Sequence, residues 1–496
     1  MTHRSFKTAL PFVLAAALAA TMGVGPAHSW STSTAIEPLE ARHISTAEKA
    51  AIESMVLLEN NNNVLPISAD QPIALFGPGA LRNPPTGTGS SAMTGIRDYT
   101  THTVERAFTD AGFTLTQSAA YVASRNSSIS NAPALSYGAL HTFSPPSNYS
   151  NADGTLTVET AVPTQPTDTA VYVLLRNSGE TYDRVKNQSY DLSTKELNNL
   201  RILGRSYRNV VVVMCVPGVT DTSFYKTINA DPAVVDPAFG QPLDALVVMG
   251  IAGQEAGPAL VKLLTGQAAF SGKLADTWAS DYSYYPAAAT WGPNDSDSYE
   301  EVYREGIYVG YRYFDSFYRA IDPAAPQNVV NYPFGYGRSY TSFSIATTSV
   351  TANMDKVTVK VAVTNTGATH SGKEVVQVYA SAPTTGLDKP YQQLIGFVKT
   401  DQLAPGQTQQ LTIATDTRNL ASYDPARAAY TLEGGDYAIR VGNGSRSTSV
   451  QAIVNVPATT VVEQLANEMT DQTVAGELVS NPADFYSYAA QAAEIA

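Results

Sequence analysis

Three short runs of consecutive apolar, largely β-branched residues constrain this chain most: Val171 to Leu175, Val210 to Val216 and Ala245 to Gly250. None alternates with polar residues, so a strand built from any of them must be covered on both faces. Helical signals fall between and around them. Ser193-Thr194-Lys195-Glu196 reads as a capping box opening a helix with Leu197, Leu200 and Leu203, and Leu260, Leu263 and Leu264 mark another that ends at Gly266. Ser45-Thr46-Ala47-Glu48 reads as a further capping box, opening a helix that carries Ile52, Met55 and Val56 and stops at Asn60 to Asn63. Ile73 to Gly77 and Phe113 to Thr116 are expected as strands, with a helix from Val104 to Ala111 between them ended by Gly112. Buried strands alternating with helices predict an α/β fold, a largely parallel sheet flanked by helices.

From Val350 the period changes to two. Val357, Val359, Val361 and Val363 alternate with polar residues, and Val376 and Val378, Leu411 to Ile413 and Tyr437 to Val441 continue the pattern between Asn-Thr-Gly, Pro-Gly and Gly-Gly turns. This predicts a second, all-β sandwich. After Pro457 the residues Val461, Leu465, Met469, Ala475 and Leu478 fall at helical spacing, which predicts an amphipathic helical tail needing something to cover it.

The first residues read as an address. Arg4 and Lys7 precede the apolar run Ala9 to Ala20, and Ala27-His28-Ser29 offers small residues for cleavage, so residues 1–29 are expected to be a signal peptide and the protein secreted, of bacterial extracellular type. The single Cys215 lies inside an apolar run, as a small core side chain would, and excludes an intrachain disulfide. A net charge of −13 without a long basic block argues against nucleic acid or anionic membrane partners. No other apolar stretch reaches the roughly 18 residues a membrane span needs.

In a parallel sheet the loops leaving the carboxyl ends of the strands converge on one rim, where open α/β sheets place ligand chemistry. Those loops here are Gly77-Pro78-Gly79 with Gly87 to Ser91, the run Arg176 to Arg184, Pro217 to Asp221, and Ala252 to Glu255. Glu180 is the first functional candidate, a carboxylate on a glycine-flexed loop directly after Val171 to Leu175; alternatively it pairs with Arg176 or Arg184 on a solvated loop. The glycines match neither GxGxxG nor a phosphate-loop spacing, and no cofactor or metal site is expected.

The order of motifs resembles glycoside hydrolase family 3, the β-glucosidase family. The resemblance is carried by Ser54-Met55-Val56-Leu57-Leu58-Glu59-Asn60 before Leu65-Pro66-Ile67, Gly253-Gln254-Glu255-Ala256-Gly257, Ser271-Gly272-Lys273-Leu274, Tyr303 to Tyr313 and Tyr332-Pro333-Phe334-Gly335-Tyr336-Gly337. It implies that residues 45–345 are that family's second, C-terminal-type α/β domain. Asn365-Thr366-Gly367, Gly372 to Tyr379 and Leu394-Ile395-Gly396-Phe397 are similar to the fibronectin type III-like domain that follows it, here residues 346–456. The resemblance implies hydrolysis of O-glycosyl bonds in an oligosaccharide or β-glucoside, with retention, and no cofactor. In the family an aspartate nucleophile sits on a (β/α)8 barrel and a glutamate acid/base is lent by the second domain. Ser178-Gly179-Glu180 before Asp183-Arg184 is similar to the acid/base loop, although Thr181 stands where a glycine is expected.

No segment here supplies eight strand-helix units. Ser280-Asp281-Tyr282 only superficially matches the nucleophile's neighbourhood and is expected to be structural. Some members carry the barrel last, and Leu465 to Asp471 resembles the helix opening such a barrel, so residues 457–496 are expected to be the start of a barrel region completed on a continuing or separate chain, and the isolated chain to be inactive. The competing reading is a non-catalytic secreted carbohydrate-binding or scaffolding protein, in which Trp278, Tyr284, Tyr285 and Trp291 stack on sugar faces or, as ordinary aromatics do, fill cores.

Overall fold

The computed structural model describes residues 36–81, 102–116, 169–176, 186–187, 190–235, 240–291, 302–468 and 474–486. Strands β2 (Ile73–Phe76), β3 (Thr169–Leu175), β4 (Asn209–Cys215) and β5 (Ala245–Val248) run parallel, and β1 (Val56–Asn60) closes one edge antiparallel to β5, in the order β1-β5-β4-β3-β2. The unbroken apolar runs are explained by two cores. Val171, Val173, Leu175, Val211, Val213 and Cys215 face α2 (Val104–Asp110) and α5 (Ala256–Leu264) through Phe108, Leu260 and Leu264. Their neighbours Ala170, Tyr172, Leu174, Val210, Val212 and Met214 face α3 (Thr194–Ser206) and α4 (Ser223–Asn229) through Leu200, Leu203, Phe224 and Ile228. Each strand thus buries both faces, and each such valine contributes about 1.5–3 kcal/mol by leaving water. Cys215 is buried, free and close enough to share its thiol with the Gly250 carbonyl at 3.5 Å; burial pushes that thiol up to about 12.

Two local expectations fail here. Helix α1 spans Pro38–Ser54, so Ser45 and Glu48 lie inside it and do not form its start. Pro38 is a first-turn residue and Leu39 to Arg42 are good helix formers, so the helix runs on through Ser45. It also ends before Met55, and Val56 opens β1 because long-range pairing with β5 outweighs helical spacing. Phe113 to Thr116 makes a single bridge, Leu115 to Ile73, held by Ile73 N–H to Thr114 O and Thr116 N–H to Ile73 O, both at 2.9 Å.

Beyond the sheet, β6 (Trp278–Ala279) pairs with β7 (Val330–Tyr332), and α6 (Tyr311–Ser316) and α7 (Tyr318–Ile321) lie between them in sequence. The second domain begins at β8 (Phe343–Ala352), which pairs with β9 (Lys356–Asn365) and through it with β12 (Thr408–Asp416). The facing sheet is β11 (Gln393–Lys399), β10 (Val375–Ser381), β15 (Gly435–Gly442) and β16 (Thr448–Val456). Val357, Val359, Val361 and Val363 meet Val376, Val378, Ile439 and Val441 in one core, as the period-two pattern requires.

The expected helical tail is corrected. Thr460–Gln464 forms β17, paired with β14 (Ala429–Leu432), which also pairs with β13 (Ser422–Asp424). Thr460, Val461 and Val462 are all β-branched and favour a strand over the helix suggested by spacing alone. Residues 474–486 then lie across both domains. Leu478 N–H donates to Arg304 O, Ser480 Oγ donates to Asp388 at 2.8 Å, and Phe485 is buried against the Tyr391 ring at 5.7 Å. Tyr486 N–H donates to Asp315 O, and its ring meets the Arg446 guanidinium.

Candidate active site

Four parallel strands end at one rim, and what the sequence places after each can now be located. After β2 the chain turns at Gly77 (φ +88°), where an added Cβ would stand 2.3 Å from Val173 O, so the loop lies directly on β3 and only glycine fits. Gly87 to Ser91 lies outside the described residues. After β5, Gly250 and Gly253 both take positive φ, and Glu255 is paired with His102 Nδ1 at 2.9 Å.

After β3 comes Arg176, whose N–H still donates to Cys215 O of β4. Its side chain turns under the rim and is only 2% exposed. Nη1 donates to Glu196 Oε1 at 2.7 Å and to Leu175 O at 2.9 Å, while Nη2 donates to Glu196 Oε2 at 2.8 Å and to Asp191 O at 3.0 Å. Glu196 is 1% exposed and is the third residue of α3, closing the capping box, and accepts also from Ser193 N–H at 2.8 Å and Ser193 Oγ at 2.9 Å. A buried bidentate pair of this kind depends on further hydrogen bonds to each charge; Glu196 has them from Ser193 and Arg176 from Leu175 O and Asp191 O, with only its Nε left without a partner among the described residues.

Glu180 itself lies outside the described residues, with 177–185. Its alternative pairing with Arg176 or Arg184 lies outside them as well; of the Arg176 nitrogens, Nη1 and Nη2 have partners and Nε has none among the described residues. The described chain resumes at Lys186, whose Nζ lies 3.5 Å from Asp281 and 5.9 Å from the centroid of the Tyr282 ring. Asn187 follows in the left-handed region (φ +64°), and its N–H donates to Asp191 Oδ2.

After β4, Asp221 accepts from Ser223 N–H at 2.9 Å. Burial pushes its carboxyl above the ordinary range, and the neighbouring charges of Asp191 and Asp281 act in the same direction. Asp281 has the structural place expected of it, accepting from Ser283 N–H at 2.7 Å and Ser283 Oγ at 2.6 Å; those bonds hold its carboxyl below the usual range. Around these carboxylates Tyr190, Tyr282 and Tyr285 form an edge-to-face cluster, with Tyr190 at 5.1 Å from Tyr282 and 6.4 Å from Tyr285. Burial pushes the Tyr285 hydroxyl up to about 12.

The other aromatic candidates divide. Trp278 is core, Tyr284 and Tyr285 pack against the cluster of Ala279, Phe314, Val329 and Val330, and Trp291 is 42% exposed. From sequence Arg176 is offered only as a partner for Glu180 and Asp221 only as part of a rim loop, and Asp191 is not marked at all. The capping box pointed to Glu196 as a helix-start residue, but nothing local announces a partner 20 residues earlier.

Comparison with known proteins agrees with this architecture. The model of the Glycosyl hydrolase family 3 C-terminal domain matches residues 55–311, and that of the Fibronectin type III-like domain matches residues 374–445. Beta-glucosidase A of Butyrivibrio fibrisolvens is 31% identical over 89% of this chain and 54% of its own length. A beta-glucosidase of Ruminococcus albus is 31% identical over 87% of this chain and 42% of its own. The crystal structure of a beta-glucosidase from Paenibacillus barengoltzii superposes with a TM-score of 0.71 at 31% identity, covering 86% of this chain and 45% of that one. The chain spans about half the length of the curated relatives it matches.

Proposed function

The chain belongs to glycoside hydrolase family 3, and we propose that it contributes the acid/base domain of a retaining, β-glucosidase-like glycosidase. Glu180 is the proton donor and later the base in this reading. It protonates the glycosidic oxygen as the bond to the anomeric carbon breaks, then takes a proton from the water that releases the sugar. The nucleophilic aspartate, about 5–5.5 Å away in a retaining site, would stand on a barrel supplied by a continuing or separate chain. The observation that carries this is the family match across residues 55–311, which includes β3 and the sequence that follows it through Glu180. The substrate is then an oligosaccharide or β-glucoside. Export belongs to the same proposal and is supported by the charged and apolar order of residues 1–29.

The test compares Glu180→Gln with the parent chain, each completed by the same family 3 barrel, on an alkyl β-glucoside and on a β-glucoside of an acidic phenol. Loss of a general acid is expected to slow the alkyl substrate by about 10²–10⁴-fold and the phenol far less, since the phenolate departs without a proton. External azide should restore turnover of the phenol substrate by standing in for the base-activated water. Equal losses on both substrates without azide rescue would remove Glu180 from the chemistry.

A further inference from the structure

The small sheet β13-β14-β17 turns one face to the sandwich core and the other to solvent. Leu432 lies in that core and Val462 packs against it. On the outer face Tyr423 stands directly opposite Tyr430, and Tyr430 directly opposite Glu463, so the three form one row across three strands. The two rings lie 5.5 Å apart at 60°, and Tyr423 remains 42% exposed. Polar groups fringe the row. Asn467, exposed beyond β17, accepts from the Tyr423 hydroxyl at 2.9 Å. Arg418, from the turn Thr417–Leu420, sets its guanidinium carbon 5.6 Å from the Tyr430 centroid and pairs with Glu463.

We propose that this outer face binds a neutral, β-linked glucan chain. The choice of ligand class rests on the glycosidase reading above, while the surface itself involves none of the residues used there. β-Glucopyranose sets its hydroxyls around the ring edge and leaves C–H groups on both faces. Those faces can cover a tyrosine ring and take apolar surface out of water, while the edge hydroxyls meet Asn467, Arg418 and Glu463. Charge agrees with an uncharged ligand, because Arg418 and Glu463 neutralise each other within the row although the chain carries −13. Size argues against a protein partner. The three strands have 3, 4 and 5 residues. Their face is roughly 14 Å across and about 10–17 Å long, on the order of 200 Å², a quarter of the roughly 800 Å² per partner that a stable interface needs. An extended glucan needs only a narrow track, and the row of Tyr423, Tyr430 and Glu463 is one.

The test is affinity electrophoresis of the full chain in native gels containing barley β-glucan. It needs no barrel and no turnover, so failure here leaves the leaving-group test of Glu180 standing, and failure there leaves this one. The parent is expected to be retarded in step with polymer concentration. Tyr423→Ala should bind about tenfold more weakly, and Tyr423→Phe, which keeps the ring, should stay within about twofold of the parent. Asn467→Ala leaves the ring pair in place and should weaken binding about threefold through one lost hydrogen-bonding group. Tyr303, 68% exposed in the α/β domain, is the control, and Tyr303→Ala should match the parent. No retardation of the parent, equal retardation of the parent and Tyr423→Ala, or retardation by the α-linked polymer dextran equal to that by β-glucan would overturn the proposal. A change in oligomeric state of Tyr423→Ala in sedimentation would overturn it too, and make the face a contact between copies of the chain.

Discussion

Arg446 holds Tyr486. The guanidinium carbon lies 4.8 Å from the tyrosine ring centroid, while Nε of the same arginine donates to the buried carboxylate of Asp315 at 2.8 Å. Tyr318 stands 4.9 Å from the same guanidinium, so one arginine of the β-sandwich domain gathers α6, α7 and the segment 474–486.

Removing that ring should loosen the segment. Tyr486→Ala is expected to cost roughly 1–3 kcal/mol in denaturant unfolding, from a lost cation–π contact and lost burial. Tyr486→Phe keeps the ring and should stay within about 0.5 kcal/mol of the parent. Chymotrypsin should release the residues after 474 faster in the alanine variant while leaving β17 intact. Equal stability of the alanine and phenylalanine variants would mean that the ring contributes nothing.

Gly77 and Gly112 separate backbone conformation from close approach. Both adopt positive φ, yet a Cβ at Gly77 meets Val173 O at 2.3 Å and one at Gly112 meets nothing within 4 Å. Gly112→Ala should therefore cost only the left-handed penalty of about 1–2 kcal/mol. Gly77→Ala carries that penalty and a backbone collision, so a loss above about 3 kcal/mol, or failure to accumulate folded protein, is expected. Similar thermal midpoints for the two variants would refute the distinction.

Asp244 gives the fold a pH dependence of definite sign. Its carboxylate accepts from Val210 N–H at 2.8 Å and from Asn62 Nδ2 at 3.2 Å, but burial dominates and pushes it up to about 6. A folded value raised above the unfolded one means the protonated form is favoured in the fold. Its contribution is therefore full below about pH 4 and is lost as pH rises through 6. Asp244→Asn does not titrate, so its thermal midpoint relative to the parent should climb between pH 4 and 7 and then level. A constant offset across that range would contradict the assignment.

What could be read from sequence follows the range of the forces involved. Val171 to Leu175 and Val210 to Val216 announce buried parallel strands because both faces of each are apolar, and Ser193 with Glu196 announces a helix start because the bonds span three residues. Val56 misleads because its partner, Val248, is distant in sequence. Val461 misleads because its apolar spacing mimics a helix although it belongs to a β-branched run, and its partner, Thr431, is 30 residues away. Glu180 is legible as a residue type in the run after β3. The Arg176–Glu196 ion pair is not, since Arg176 looks like any loop arginine until α3 brings Glu196 to it.

Cys215 finally makes the central sheet its own reporter. The chain has one thiol, sealed in β4 beneath α5 and held almost wholly protonated at neutral pH. A thiol reagent can meet it only when that part of the sheet opens. Labelling kinetics on the unaltered protein thus time the opening of the layer around β4, with no introduced probe and no background from a second cysteine.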